Sequence, residues 1–448
     1  MKRPRLRLLT GAAIVAVVVG LGATWYIRGP GPLDFSGGPK VALASYKGAS
    51  PAGVPASLSQ ASLVERGEYL ARAADCVVCH TAPGGGKDYA GGFAFKLPFG
   101  TMYSTNITPD KDTGIGNYTD QQFLDALRRG VRHDGARLYP AMPYTSYTYM
   151  TDSDGLAIKA YLFSLAPVRS TPPANTLAFP FNQRWAMYFW SLVFNANTRF
   201  EPDSSQSAEW NRGAYLAEAL AHCGECHTPR NIGFALDNRK KFGGTLVAGW
   251  QAFNISSDKT AGLGRWSDEE ISSYLSFGHA AGHGTASGPM GEAVDHSLSK
   301  LDPADVNAMI AFLRSVPAVG SSNPAFKLMP APASHNDGAT ANLPGKKVFA
   351  QACASCHGWS GESPVSPLAT LTGAAAVNDP QATNVAQIII GGTKRFTPDG
   401  ALSMPAFGHA YSNDEIAALA NYVTARFGAK GSSLTAKDIV ELRNQLPN

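Results

Sequence analysis

Charge is scarce in this chain. Asp, Glu, Lys and Arg make up 16% of its 448 residues, against about 25% in an average domain. No Lys/Arg-rich run occurs in the body of the chain, and the net charge is only +4, so a nucleic-acid partner is not expected. Disorder is excluded as well, because 44% of the residues are hydrophobic and a disordered chain needs high charge and few aromatics. Long regular elements should be rare, since 46 glycines and 30 prolines call for much turn and loop. No nucleotide-binding signature is usable: the glycine-rich stretch from Gly29 to Gly38 does not join a strand to a helix. At roughly 100–200 residues per domain the length exceeds one ordinary core and fits two to four domains.

Cysteine is also sparse, with six residues. They fall at Cys76, Cys79, Cys223, Cys226, Cys353 and Cys356, in the strings CVVCH, CGECH and CASCH. Each pair is spaced C-x-x-C and followed at once by His80, His227 or His357. This placement argues against three disulfides and for attachment of c-type haem. Two thiols add to the two vinyl groups of one porphyrin edge, and the adjacent imidazole then reaches iron. A zinc site would need a fourth ligand. A thioredoxin-like motif would need one redox pair, not three pairs each with a trailing histidine.

At the amino terminus Lys2, Arg3, Arg5 and Arg7 precede an uncharged apolar run from Leu8 to Ile27. About 20 residues span a bilayer as a helix, and Trp25 and Tyr26 stand where interfacial aromatics belong. A cleaved signal peptide has a shorter apolar region and an A-x-A-like site, to which Gly22-Ala23-Thr24 is a poor match. The expectation is a retained anchor, with the basic flank in the cytoplasm and the bulk periplasmic. Without Lys2, Arg3, Arg5, Arg7 and Arg28 the rest of the chain is slightly acidic.

The chain repeats itself. NITPDKDTGIGNYTDQQFLDALRRG, from Asn106 to Gly130, matches NISSDKTAGLGRWSDEEISSYLSFG, from Asn254 to Gly278, at constant spacing. Each haem motif follows a short helical segment that starts with Gly67, Gly213 or Gly345. Each unit ends in a helical stretch bearing Tyr161, Phe312 or Tyr422. The spacing predicts an N-terminal helix crossing a C-terminal one, and core packing is the role expected of these glycines and aromatics. A sixth iron ligand is expected in each unit, methionine being histidine's usual partner in electron-transfer cytochromes c. Met142 in YPAMPY and Met404 in LSMPAF both precede proline, while Met290 in GPMGEA keeps the repeat register. His279, His283 and His296 flank Met290 and are its rivals.

The expected fold is all-α: three cytochrome c-type domains in tandem, loop-rich, after one N-terminal transmembrane helix. The boundaries are 1–28 for flank and anchor, 58–168 for domain one, 169–203 for an aromatic linker and 204–318 for domain two. A second linker follows at 319–338, then domain three at 339–430 and a tail at 431–448. The segment Phe179 to Phe194 is dense in aromatics. It can cross the folded body as a core-packed linker, lie at a membrane interface, or meet a partner subunit.

With its anchor, three C-x-x-C-H units, NITPD…TGIG and YPAMPY, the chain resembles the triple-haem cytochrome c subunits of bacterial membrane-bound dehydrogenases over nearly its whole length. The resemblance implies three haem c groups and a large catalytic partner carrying molybdopterin, a quinone or flavin, possibly with a small subunit. It also implies delivery of electrons to ubiquinone at the inner membrane. The retained anchor departs from the cleaved signal of the alcohol dehydrogenase version and tilts the expectation toward an aldehyde dehydrogenase complex. Two other readings stay open: a multihaem enzyme with one open iron, peroxidase-like or nitrite reductase-like, and a membrane-anchored shuttle to a terminal oxidase.

Overall fold

The computed structural model describes residues 3–320, 342–397 and 400–445, with backbone alone for 3–14 and 400. The chain opens with helix α1 (Arg3–Arg28). Unit one contains α2 (Leu63–Ala73), the single turn α3 (Cys76–Cys79), the hairpin β1 (Ala94–Leu97) and β2 (Gly100–Tyr103), α4 (Asp120–Arg129), α5 (Tyr144–Tyr147) and α6 (Asp152–Ser164). Helix α7 (Ala186–Phe194) lies in the linker. Unit two repeats the plan. It has α8 (Ala208–Tyr215), which runs on through a π turn at Leu216–Leu220, then α9 (Gly224–His227) and the hairpin β3 (Thr245–Val247) and β4 (Trp250–Ala252). Next come α10 (Asp268–Phe277), the small hairpin β5 (His279–Ala280) and β6 (Gly284–Thr285), α11 (Gly288–His296) and α12 (Pro303–Ser315). Unit three has α13 (Leu343–Ala352), α14 (Ala354–His357), α15 (Ala375–Asn378), α16 (Thr383–Gly391), the hairpin β7 (Thr393–Thr397) and β8 (Gly400–Met404), and α17 (Asn413–Phe427). Within the expected tail, α18 (Ala436–Gln445) packs on α16 and α17.

Helices carry the core, as expected. The two-stranded antiparallel hairpins are an addition that an all-α reading did not include. Helix starts follow the sequence: Ser62 with Glu65, Thr119 with Gln122, Ser267 with Glu270 and Ser412 with Glu415 form capping boxes, each satisfying two otherwise unpaired N–H groups. The crossing of α2 with α6 is close enough that a Cβ on Gly67 would stand 1.9 Å from Ala157 O. At the same crossing in units two and three, a Cβ on Gly213 would stand 1.8 Å from Ala308 O and one on Gly345 2.2 Å from Ala418 O. Only a residue without a side chain allows these contacts.

Units one and two share one continuous core, which includes Leu70, Ile158, Leu216 and Phe312. Unit three has its own, around Phe349, Ile389, Leu419 and Tyr422. The junction of units one and two is reciprocal. Tyr69 on α2 donates to Asp305 on α12 at 2.5 Å, and its counterpart Tyr215 donates to Asp154 on α6 at 2.6 Å. Such exchange of equivalent contacts marks an approximate two-fold relation between the duplicated units.

Among the described residues no helix is long and apolar enough to cross a membrane. The expected span from Leu8 to Ile27 lies in α1, and its first side chains fall outside the described residues, as does the second linker from 321 onward. From Val15 to Tyr26 the apolar side chains of α1 are exposed. Helix α7 is not core-packed: of its residues only Ser191 is buried, while Trp185, Phe189 and Leu192 are about two-thirds exposed, at 66%, 59% and 66%.

Candidate haem attachment sites

Each C-x-x-C-H string folds into one helical turn directly after the first helix of its unit. Met142 follows the turn at Tyr139 and precedes α5. Met290 lies on α11 and Met404 ends β8, paired with Thr393. No disulfide joins any of the six cysteines. Burial pushes Cys76 and Cys223 up to about 12, and Cys226 and Cys353 up to about 11.

The histidines share one arrangement. His80 donates from Nδ1 to Thr105 O, His227 to Phe253 O and His357 to Ala369 O, each at 2.6 Å. A backbone carbonyl only accepts, so the proton sits on Nδ1 and Nε2 keeps its lone pair for a metal. Burial lowers all three imidazole pKa values, favouring the neutral ligand form.

Sequence reasoning missed these carbonyls. In units one and two they stand immediately before Asn106 and Asn254 of the repeated motif, and that motif builds the loop holding them. Asn106 accepts from Thr108 N at 2.9 Å and donates to Val168 O at 2.7 Å; Asn254 accepts from Ser256 N at 2.8 Å and donates to Val319 O at 2.6 Å. Asp110 and Asp258 cap the next turn, each accepting a backbone N–H at 2.7 Å. Repetition of the asparagine was the available signal. Unit three has no such asparagine, and Ala369 is instead set by the short turn at Pro367–Ala369.

In unit three Cys353, His357 and Met404 open onto one apolar cavity, walled by Phe349, Ile389 and Val423. Two thiols, an imidazole of fixed tautomer and a thioether around carbon walls fit a covalently attached haem. In units one and two, Cys76, Met142, Cys223 and Met290 are half-buried against the shared core. The rivals of Met290 are placed elsewhere. His279 bonds Thr285 Oγ1 at 2.9 Å, His283 stacks on Trp266 at 3.8 Å and faces Glu270, and His296 is exposed.

Residues 64–166 and 343–426 match the cytochrome c family. The chain is 38% identical over 410 residues to the fructose dehydrogenase cytochrome subunit of Gluconobacter japonicus, covering 87% of this chain and 84% of that one. It is 38% identical over 404 residues to the gluconate 2-dehydrogenase cytochrome c subunit of Pantoea cypripedii, covering 85% and 90%. It is 35% identical over 403 residues to the cytochrome c subunit of alcohol dehydrogenase (quinone) of Gluconacetobacter polyoxogenes, covering 86% and 85%.

Proposed function

The chain belongs to the family of dehydrogenase cytochrome c subunits, and we propose that it carries three c-type haems and takes electrons from a catalytic subunit to ubiquinone. The observation that carries this reading is the threefold Nδ1–carbonyl bond at 2.6 Å, which readies one imidazole per unit for iron. Cys76 and Cys79, Cys223 and Cys226, and Cys353 and Cys356 would hold the porphyrins. His80 with Met142, His227 with Met290, and His357 with Met404 would hold the irons. Haem so ligated supplies one-electron transfer, with methionine raising the potential relative to a second histidine. Two protein ligands per iron leave no place for a substrate, so oxidation belongs to the partner. One covalent chain keeps the three units at high effective concentration.

The membrane reading rests on two apolar surfaces that meet. Helix α1 is held at its C-terminal end by unit two, where Asn231 donates to Ile27 O and Asn238 to Pro30 O, both at 3.1 Å. Arg239 also donates to Tyr26 O and lies over the Tyr26 ring. Helix α7 packs beside α1, so its exposed aromatics share that end of the molecule. We place α1 in the inner membrane as an anchor, α7 at the lipid interface and the three units in the periplasm. A retained anchor favours an aldehyde-oxidising partner over an alcohol-oxidising one.

The test is affinity purification of the tagged chain from detergent-solubilised membranes. Copurification with a large dehydrogenase that reduces a ubiquinone analogue supports the proposal. A chain that emerges alone, with its haems reducible only by small chemical donors, contradicts it.

A further inference from the structure

Units one and two lay their attachment turns against each other's methionine elements. The turn α3 of unit one packs on α11, the helix of unit two that bears Met290. In the other direction, the turn α9 of unit two reaches α5, which begins two residues after Met142. The link is Glu225, the third residue of CGECH, which is 8% exposed. Its Oε1 accepts from Thr145 Oγ1 and from Ser146 Oγ, both at 3.2 Å. Its Oε2 accepts from Arg230 Nη2 at 2.6 Å, and the same nitrogen donates to Glu225 O at 2.9 Å. The carboxylate is thereby fixed on its own turn while it grips the other unit.

Helix α5 is closely joined to the methionine. Tyr144 N donates to Met142 O at 2.7 Å, and Ser146 N and Tyr147 N donate to Pro143 O at 3.0 and 2.9 Å. Unit one holds this helix through Tyr147, whose hydroxyl donates to Ala74 O at 2.6 Å. Unit two holds it through Glu225. The counterpart of Glu225 in CVVCH is Val78, which accepts no hydrogen bond. Helix α11 is gripped instead from unit three, where Arg395 on β7 donates from Nη2 to Gly291 O at 3.0 Å and to the Asp295 carboxylate. Haem attachment needs the cysteines and the histidine of C-x-x-C-H and leaves the residue between them free, so the attachment chemistry does not account for Glu225.

We propose that Glu225 is a positioning residue for the haem of unit one, holding the Met142 loop on the iron from the attachment turn of unit two. The inference rests on the three-haem reading. It makes methionine ligation in one unit depend on the folded attachment turn of the next.

The experiment uses the purified full-length holoprotein, with haem per chain counted first. Imidazole is titrated into the oxidised protein and followed by loss of the far-red methionine–iron band. Imidazole binds where the methionine has left the iron, so its apparent affinity reports the open fraction of each site. The expected result for Glu225→Val is about tenfold tighter binding at unit one, the size of one hydrogen bond to a charged group. Met142→His supplies a firmer ligand there and should abolish the gain, whereas Met290→His should leave it in place. Glu225→Gln keeps an acceptor oxygen for the two hydroxyls and should recover most of the wild-type value. Should Glu225→Val fail to hold haem, Thr145→Val with Ser146→Ala removes the same bonds from the other side and should give the same gain. Wild-type imidazole affinity at unit one in these variants, or a gain that Met290→His abolishes, would overturn the inference. Fewer than three haems in the wild type would instead sink the reading beneath it.

Discussion

Three carbonyl oxygens, those of Thr105, Phe253 and Ala369, decide which nitrogen each histidine presents. Side-chain identity does not reveal them. The histidines were legible in the sequence because attachment chemistry dictates C-x-x-C-H, whereas any residue can supply a carbonyl. Asp203 shows a similar economy. Burial opposes its ionisation, but hydrogen bonds from Ser205, Ser36 and Lys40 outweigh burial and hold its carboxyl well below the usual range. It thereby ties the stem after α1 to the start of unit two. A depressed folded-state pKa gives stability that is present above the unfolded value of about 3.9 and is lost as pH falls through the folded value. Asp203→Asn should therefore cost about 2 kcal/mol at neutral pH, the scale of hydrogen bonds to a charged group. Urea melts as a function of pH check this: the gap to wild type should shrink steadily below about pH 4, and a gap constant down to pH 2 would count against it.

At the scale of elements, the crossing of the first and last helices of each unit sets the site, because the C-x-x-C-H turn hangs from the end of the first helix. These pairs were legible from the glycine and the aromatic at equivalent places. The hairpins were not, since runs such as Thr245–Val247 and Trp250–Ala252 are too short to show an alternation of faces. The helical setting of Met290 was hidden too: register placed the residue, but Arg395, distant in sequence, holds it. The crossing makes a sharp prediction. Gly213→Ala would place a methyl 1.8 Å from Ala308 O, and overpacking of this kind costs about 1–3 kcal/mol or more. Thermal melts should show a lower Tm, with haem loss confined to unit two. An unchanged Tm would mean that the helices separate at little cost.

For the whole molecule, the shared core of units one and two contrasts with the separate core of unit three. Their reciprocal Tyr69–Asp305 and Tyr215–Asp154 bonds fasten one body. Unit three docks on it through Arg395 and through a paired contact in which Gln251 N donates to Asn384 Oδ1 at 2.8 Å and Asn384 Nδ2 donates to Gln251 O at 3.0 Å. The duplication was legible in the sequence, but the fusion of the two units was not, because Tyr69 and Asp305 lie in different repeats and nothing in the sequence pairs them. Calorimetry of the holoprotein should resolve two transitions, one for units one and two together and a smaller one for unit three; three equal transitions would contradict the fused body. The central claim is that every unit holds a six-coordinate haem between its histidine and its methionine. Electron paramagnetic resonance of the oxidised protein, with haem counted per chain, tests it most directly. The account predicts three low-spin ferric signals of equal weight from three haems. A high-spin ferric signal from any unit, or fewer than three haems per chain, would contradict it.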